Sequence, residues 1–156
     1  MFKNVVLALD GSESSDEALA YATRLSLDHG SKLHVVHVVE MLVGRGGGAL
    51  HVNESEIKAK IREQVHELVA AGIYAELELR SAIVGRCGNV IADIAAKQEA
   101  DVIVTGSRGH SGFAGMLLGS VTQRLLHLAD CPVLVIPRGT AASAIAHGRA
   151  LASATN

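Results

Sequence analysis

The sequence predicts an α/β fold: an open five-stranded parallel sheet with helices on both faces. Three observations carry this. Short apolar runs alternate with amphipathic stretches, giving the order β-α-β-α-β-α-β-α-β. Most of the runs are continuous rather than alternating, as suits parallel strands covered on both sides. The composition is 49% hydrophobic but only 3% aromatic, with 16 glycines and 2 prolines, so the core is aliphatic and glycine serves the backbone. Such alternation implies right-handed crossovers.

The first strand is read at Val5–Leu9, ended by Asp10. Ser14 and Glu17 form an S-x-x-E capping box before Ala18, Ala22 and Leu25 of the first helix. Leu33–Val39 is the second strand. Its His34 and His37 are three apart and so face opposite sides, which argues against a shared metal. Asn53 with Glu56 opens the second helix, carried by Ile57, Ile61, Val65 and Leu68 and stopped at Gly72. Ala75–Ala82, the third strand, alternates Leu77 and Leu79 with charged residues. Val90, Ile91, Ile94 and Ala95 mark the third helix, Val102–Val104 the fourth strand, Val121, Leu125 and Leu128 the fourth helix, and Val133–Ile136 the last strand. Cys131 is expected to open a buried strand, and Cys87 to be the more exposed thiol. His29, His66 and His127 read as helix-surface residues, and His110 as a solvated loop histidine.

The 156 residues fit one domain, with a core large enough to bury about 68–70% of the unfolded surface. Residues 1–138 are read as that domain and 139–156 as an Ala/Ser-rich tail. Gly44–Gly48, continuing to Val52, reads as a mobile loop. A net charge of −2 and few aromatics argue against a nucleic-acid platform. No apolar run approaches the roughly 18 residues of a membrane span. Two cysteines make no disulfide framework or metal pattern and fit reduced thiols in the cytoplasm.

In open parallel sheets ligands bind beyond the carboxyl ends of the strands. Two segments suit that place: Asp10-Gly11-Ser12, and the stretch from Thr105 to Thr122 with Gly106, Gly109, Gly112, Gly115 and Gly119. Phosphates need close backbone N–H groups without Cβ atoms in the way, and gain from a helix N-terminus. Gly106, Gly109 and Gly119 offer close approach. Ser120 and Thr122 offer hydroxyls, beside the amides of Ser120 and Val121, and Arg108 offers charge. The segment has a plainer reading, since Ser120 with Gln123 is also a capping box and glycines after a strand often only turn the chain. The Walker signature and the dinucleotide fingerprint after the first strand are both absent.

The residues resemble the universal stress protein family in its nucleotide-binding branch. The pattern Gly-x2-Gly-x9-Gly-[Ser/Thr] matches at Gly106, Gly109, Gly119 and Ser120, flanked by Asp101–Thr105 and by Cys131–Ile136. The resemblance runs from about Lys3 to Arg138. It implies a Rossmann-like fold of the adenine nucleotide alpha hydrolase type with strand order 3-2-1-4-5, and a homodimer through the fifth strand (Val133, Leu134, Val135, Ile136). It also implies ATP with its triphosphate over Gly106–Thr122, including Arg108 and His110. Asp10, followed by Gly11 and Ser12, matches the acidic position that holds Mg²⁺ directly or through water, while Ala8 and Val38 match backbone contacts to adenine and ribose. The expected role is a regulatory dimer in stress response. The alternatives are a slow ATPase or autophosphorylating protein, with Asp10 and Arg108 at the γ-phosphate, and a nucleotide-free scaffold for a partner protein.

Overall fold

The computed structural model describes residues 2–44, 48, 53–109 and 118–139. In chain order it has β1 (Asn4–Ala8), α1 (Glu13–His29), β2 (Lys32–Met41), α2 (Glu54–Ala70), β3 (Ala75–Ile83), α3 (Cys87–Lys97), β4 (Val102–Gly106), α4 (Ser120–Leu128) and β5 (Val133–Ile136). All four strand pairings are parallel, in the order β3-β2-β1-β4-β5. The expected fold class and strand order are both present. The tail from residue 140, His110 and most of the Gly44–Val52 segment lie outside the described residues.

The period of two along β1 divides the core. Val5, Leu7 and Leu9 face Ala18 and Ala22 of α1 and Ile57, Ile61 and Leu68 of α2. Val6 and Ala8 face Ile91, Ile94 and Ala95 of α3 and Leu125 of α4. With helices on both sides, every residue from Val5 to Leu9 is buried, which is why this run is apolar without alternation. β2 and β3 run on to Met41 and Ile83, past the ends expected for them, because they pair with each other along nine residues.

The helix starts differ from the sequence reading. Gly11 turns the chain at φ +81 and Ser12 then caps α1, its hydroxyl accepting from Ser15 N at 3.3 Å. Ser14 is therefore inside the helix and 1% exposed, its hydroxyl donating to Ile136 O at 3.5 Å. Asn53 is the cap of α2 but makes no side-chain cap bond. Gly119, not Ser120, caps α4, and the Gln123 amide reaches Leu118 O at 3.4 Å instead of closing a capping box. Cys87 is buried at the start of α3 whereas Cys131 is half-exposed, the reverse of the expected order. β5 is an edge strand with only Ile136 buried, so Cys131 does not open a buried strand.

Candidate functional site

β1 sends its chain through α1 to β2 on one side. The chain later crosses through α3 to β4 on the other side. The sheet thus has its switch point between β1 and β4, and a cleft opens at their carboxyl ends. Ala8, Asp10, Val38, Gly106, Arg108, Gly109, Gly119, Ser120, Val121 and Thr122 all line it. Gly11 and Ser12 stand behind the lining in the turn into α1, where Gly11 O accepts from Lys60 Nζ at 3.0 Å. His110 falls outside the described residues.

Each wall follows from local chain geometry. Asp10 Oδ1 accepts from Ser12 N at 3.0 Å, an Asx turn that holds the carboxylate at the strand end. Across from it, a Cβ on Gly109 would lie 2.5 Å from Asp10 Oδ2, so glycine lets the two segments meet. Gly106 is a different case. Its missing Cβ would collide with Ser14 Oγ at 2.5 Å and Ser14 backbone at 2.8 Å, so this glycine serves the packing of β4 on α1. A Cβ on Gly119 would meet only ordinary contacts, the nearest at 3.5 Å.

The Gly106–Thr122 segment is closed by its own ends. Ser107 N donates to Ile136 O and Gly119 N donates to Ser107 O, each at 2.8 Å. α4 then begins beside the cleft. The first N–H groups of a helix have no intrahelical acceptor, and Gly119 at the cap position has no side chain to bond those of Ser120, Val121 and Thr122. The Thr122 hydroxyl is buried and donates to Gly106 O at 2.9 Å, so its proton is used within the protein. Ser120 is exposed at the mouth.

On the β2 side, Leu9 N donates to Val36 O at 2.9 Å, which turns the peptide edge of Val36 toward β1. Two residues on, the Val38 edge turns the same way, but β1 has ended at Ala8. The Val38 edge therefore borders the cleft. The Cys87 thiol donates to Val38 O at 3.8 Å. Burial first, and then the Glu40 carboxylate beside it, push this thiol up to about 12.

His37, Glu40, Cys87 and Ile91 also line the cleft and were not singled out as site residues from the sequence. Glu40 shares the Val38 face of β2 by its even spacing, a signal present in the sequence. His37 had no such signal. Its Nδ1 lies 2.9 Å from Leu9 O and its Nε2 2.6 Å from Glu54 Oε1 at the start of α2. A carbonyl only accepts, so Nδ1 carries hydrogen, and Nε2 and Oε1 share one further proton. This pair, 4% and 10% exposed at the side chains, ties α2 to the floor of the cleft. Among the described residues no three metal-ligating side chains gather, and no helix is long and apolar enough to cross a membrane.

The universal stress protein family pattern matches residues 1–137. Universal stress protein YxiE of Bacillus subtilis is 33% identical, over 87% of this chain and 99% of its own length. The universal stress protein UspA from Lactobacillus plantarum superposes with a TM-score of 0.71 at 20% identity, covering 86% of this chain and 97% of that one. A universal stress protein solved in complex with cAMP superposes with a TM-score of 0.61 at 27% identity, over 86% and 97% of the two chains. By sequence and by fold, the chain belongs to the universal stress protein family.

Proposed function

We propose that the protein is an ATP-binding regulatory homodimer of the stress response. The observation that carries this reading is the cleft itself. It joins a helix N-terminus with glycine at its cap, a carboxylate and a strand edge left over by β1. These are the three kinds of group that phosphates, a divalent ion and a base require. The cAMP complex of the relative supports an adenine nucleotide as the occupant.

In this reading the triphosphate lies over Gly109, Gly119 and the amides of Ser120 and Val121, with Arg108 at the rim. Helix-dipole attraction of about 0.3–1 kcal/mol per charge is too weak alone, since a micromolar site needs about 8 kcal/mol. Directed N–H bonds to phosphate oxygens supply the difference. Gly109 and Gly119 fit the role because a phosphate can approach their backbone with no side chain in the way. Asp10 would hold Mg²⁺ directly or through water, the usual arrangement of one carboxylate plus phosphates. The N–H and C=O of Val38 complement the N1 acceptor and exocyclic amine of adenine, and the Ala8 backbone lies beneath the ribose.

Regulation needs a route from the cleft to a partner surface. Ser107 supplies one, bonded to Gly119 on the cleft side and to Ile136 of β5 on the other. β5 is an edge strand of four residues with Leu134 40% exposed, and pairing two such edges would cover it. Nucleotide that tightens the Gly119 turn would thereby bias the dimer contact. A cytoplasmic location goes with this reading, as both cysteines are free thiols. Calorimetric titration of metal-stripped protein with ATP, with and without Mg²⁺, tests it. Saturable heat that strengthens with Mg²⁺ is expected. No heat, and no competition with any adenine nucleotide, would overturn it.

A further inference from the structure

The base end of the cleft has a composition that the phosphate end does not explain. Glu40 lies two residues beyond Val38 on the same face of β2, about 6.6 Å further along at a rise of about 3.3 Å per residue. Its Oε1 accepts from Gly85 N at 3.2 Å, which fixes the carboxylate against the turn before α3. Glu40, Val38 and Cys87 form one stretch of the lining. This wall thus offers two acceptors in succession, the Val38 carbonyl and the Glu40 carboxylate. The Cys87 thiol supplies one weak donor between them, 3.8 Å from the Val38 carbonyl and within reach of the Glu40 carboxylate, too few protons for both acceptors.

An exocyclic amine carries two protons. A base read by the Val38 edge gives the proton on its N1 side to the Val38 carbonyl. The other proton, on the N7 side, needs an acceptor further along the wall. A purine with oxygen at this position would instead set a third acceptor against the two. We propose that Glu40 is the base-specificity residue of the cleft: its carboxylate takes the second amine proton of adenine and excludes 6-oxo purines. This rests on the adenine-nucleotide reading above and adds to it the residue that selects the base.

The test compares ATP with ITP, which differ by the amine-to-oxo exchange at this position and the proton it adds at N1. Both are titrated into the wild-type protein and into E40Q. Glutamine keeps an oxygen for Gly85 N, so the turn into α3 is retained, and its amide can donate to a 6-oxo group. A hydrogen bond to a charged group corresponds to roughly 10- to 100-fold in affinity. The wild type is expected to prefer ATP by about tenfold or more, and E40Q to narrow that ratio by at least about tenfold, losing ATP and holding or gaining ITP. E40A, which removes attraction and repulsion together, should also narrow the ratio. An E40Q protein that weakens both nucleotides equally, or changes neither, overturns the role of Glu40 while leaving the adenine reading intact. A wild type that binds neither nucleotide overturns both.

Discussion

Replacing His37 by phenylalanine removes a side chain that bonds both the end of β1 and the start of α2. The ring keeps its approximate volume, so the loss is in polar partners. Leu9 O loses its 2.9 Å donor and Glu54 Oε1 its 2.6 Å partner. Glu54 is 8% exposed, its Oε2 already has no partner among the described residues, and Lys58 Nζ at 3.8 Å is left as its ion pair. Breaking a buried pair in this way typically destabilises by about 3–5 kcal/mol. That is a large share of the roughly 5–15 kcal/mol that holds a domain folded. The second variant, H37F/E54L, removes the stranded carboxylate as well, leaving mainly the cost of one unpaired carbonyl, about 1–2 kcal/mol. Urea unfolding followed by circular dichroism gives all four corners of the cycle, and a coupling of about 2 kcal/mol or more is expected. If H37F lies within about 1 kcal/mol of wild type, or the double variant costs the full sum of the singles, the pair does not hold α2 to the cleft.

The three motif glycines should separate by assay. Gly106→Ala forces a Cβ against Ser14 backbone and should lower stability by about 1–3 kcal/mol. Gly109→Ala should displace the Asp10 carboxylate and so weaken ATP mainly in the presence of Mg²⁺. Gly119→Val, whose Cβ has room in the free protein, should fold normally and weaken ATP with or without the metal, and wild-type affinity in both would mean that the segment is only a turn. The thiol of Cys87 should resist alkylating reagents at pH 8 in folded protein, with half-exposed Cys131 reacting first. Because the folded Cys87 value is raised from 9.0 to about 12, its contribution to stability is present below about pH 9 and is lost as pH rises toward 12, which pH-dependent unfolding can follow.

The parts of the fold legible in the sequence were those set by periodicity. Val5–Leu9 read as a doubly covered strand because both faces of β1 meet helices. Strand ends and the glycine-rich turn placed Asp10 and Gly119 at one end of the sheet, and the family resemblance added Val38. Features decided by single backbone angles or by distant partners were not legible. Ser12 and Ser14 both suit a cap, and the choice between them turns on Gly11 at φ +81. The burial of Cys87 depends on α3 starting at that residue, beneath Val38. His37 and Glu54 are 17 residues apart, and only the crossover through α2 brings them to 2.6 Å. Glu40 was within reach of the sequence, since it has the same strand parity as Val38.

Backbone-amide NMR during an ATP and Mg²⁺ titration tests the central claim most directly, in a protein of 16.2 kDa. The account predicts that the amides of Gly109, Gly119, Ser120 and Val121 and that of Val38 shift together on one binding curve. Those at the amino ends of the strands, such as Val5 and Leu33, should stay still. Saturable shifts confined to other surfaces, or none at all at millimolar ATP, would contradict it.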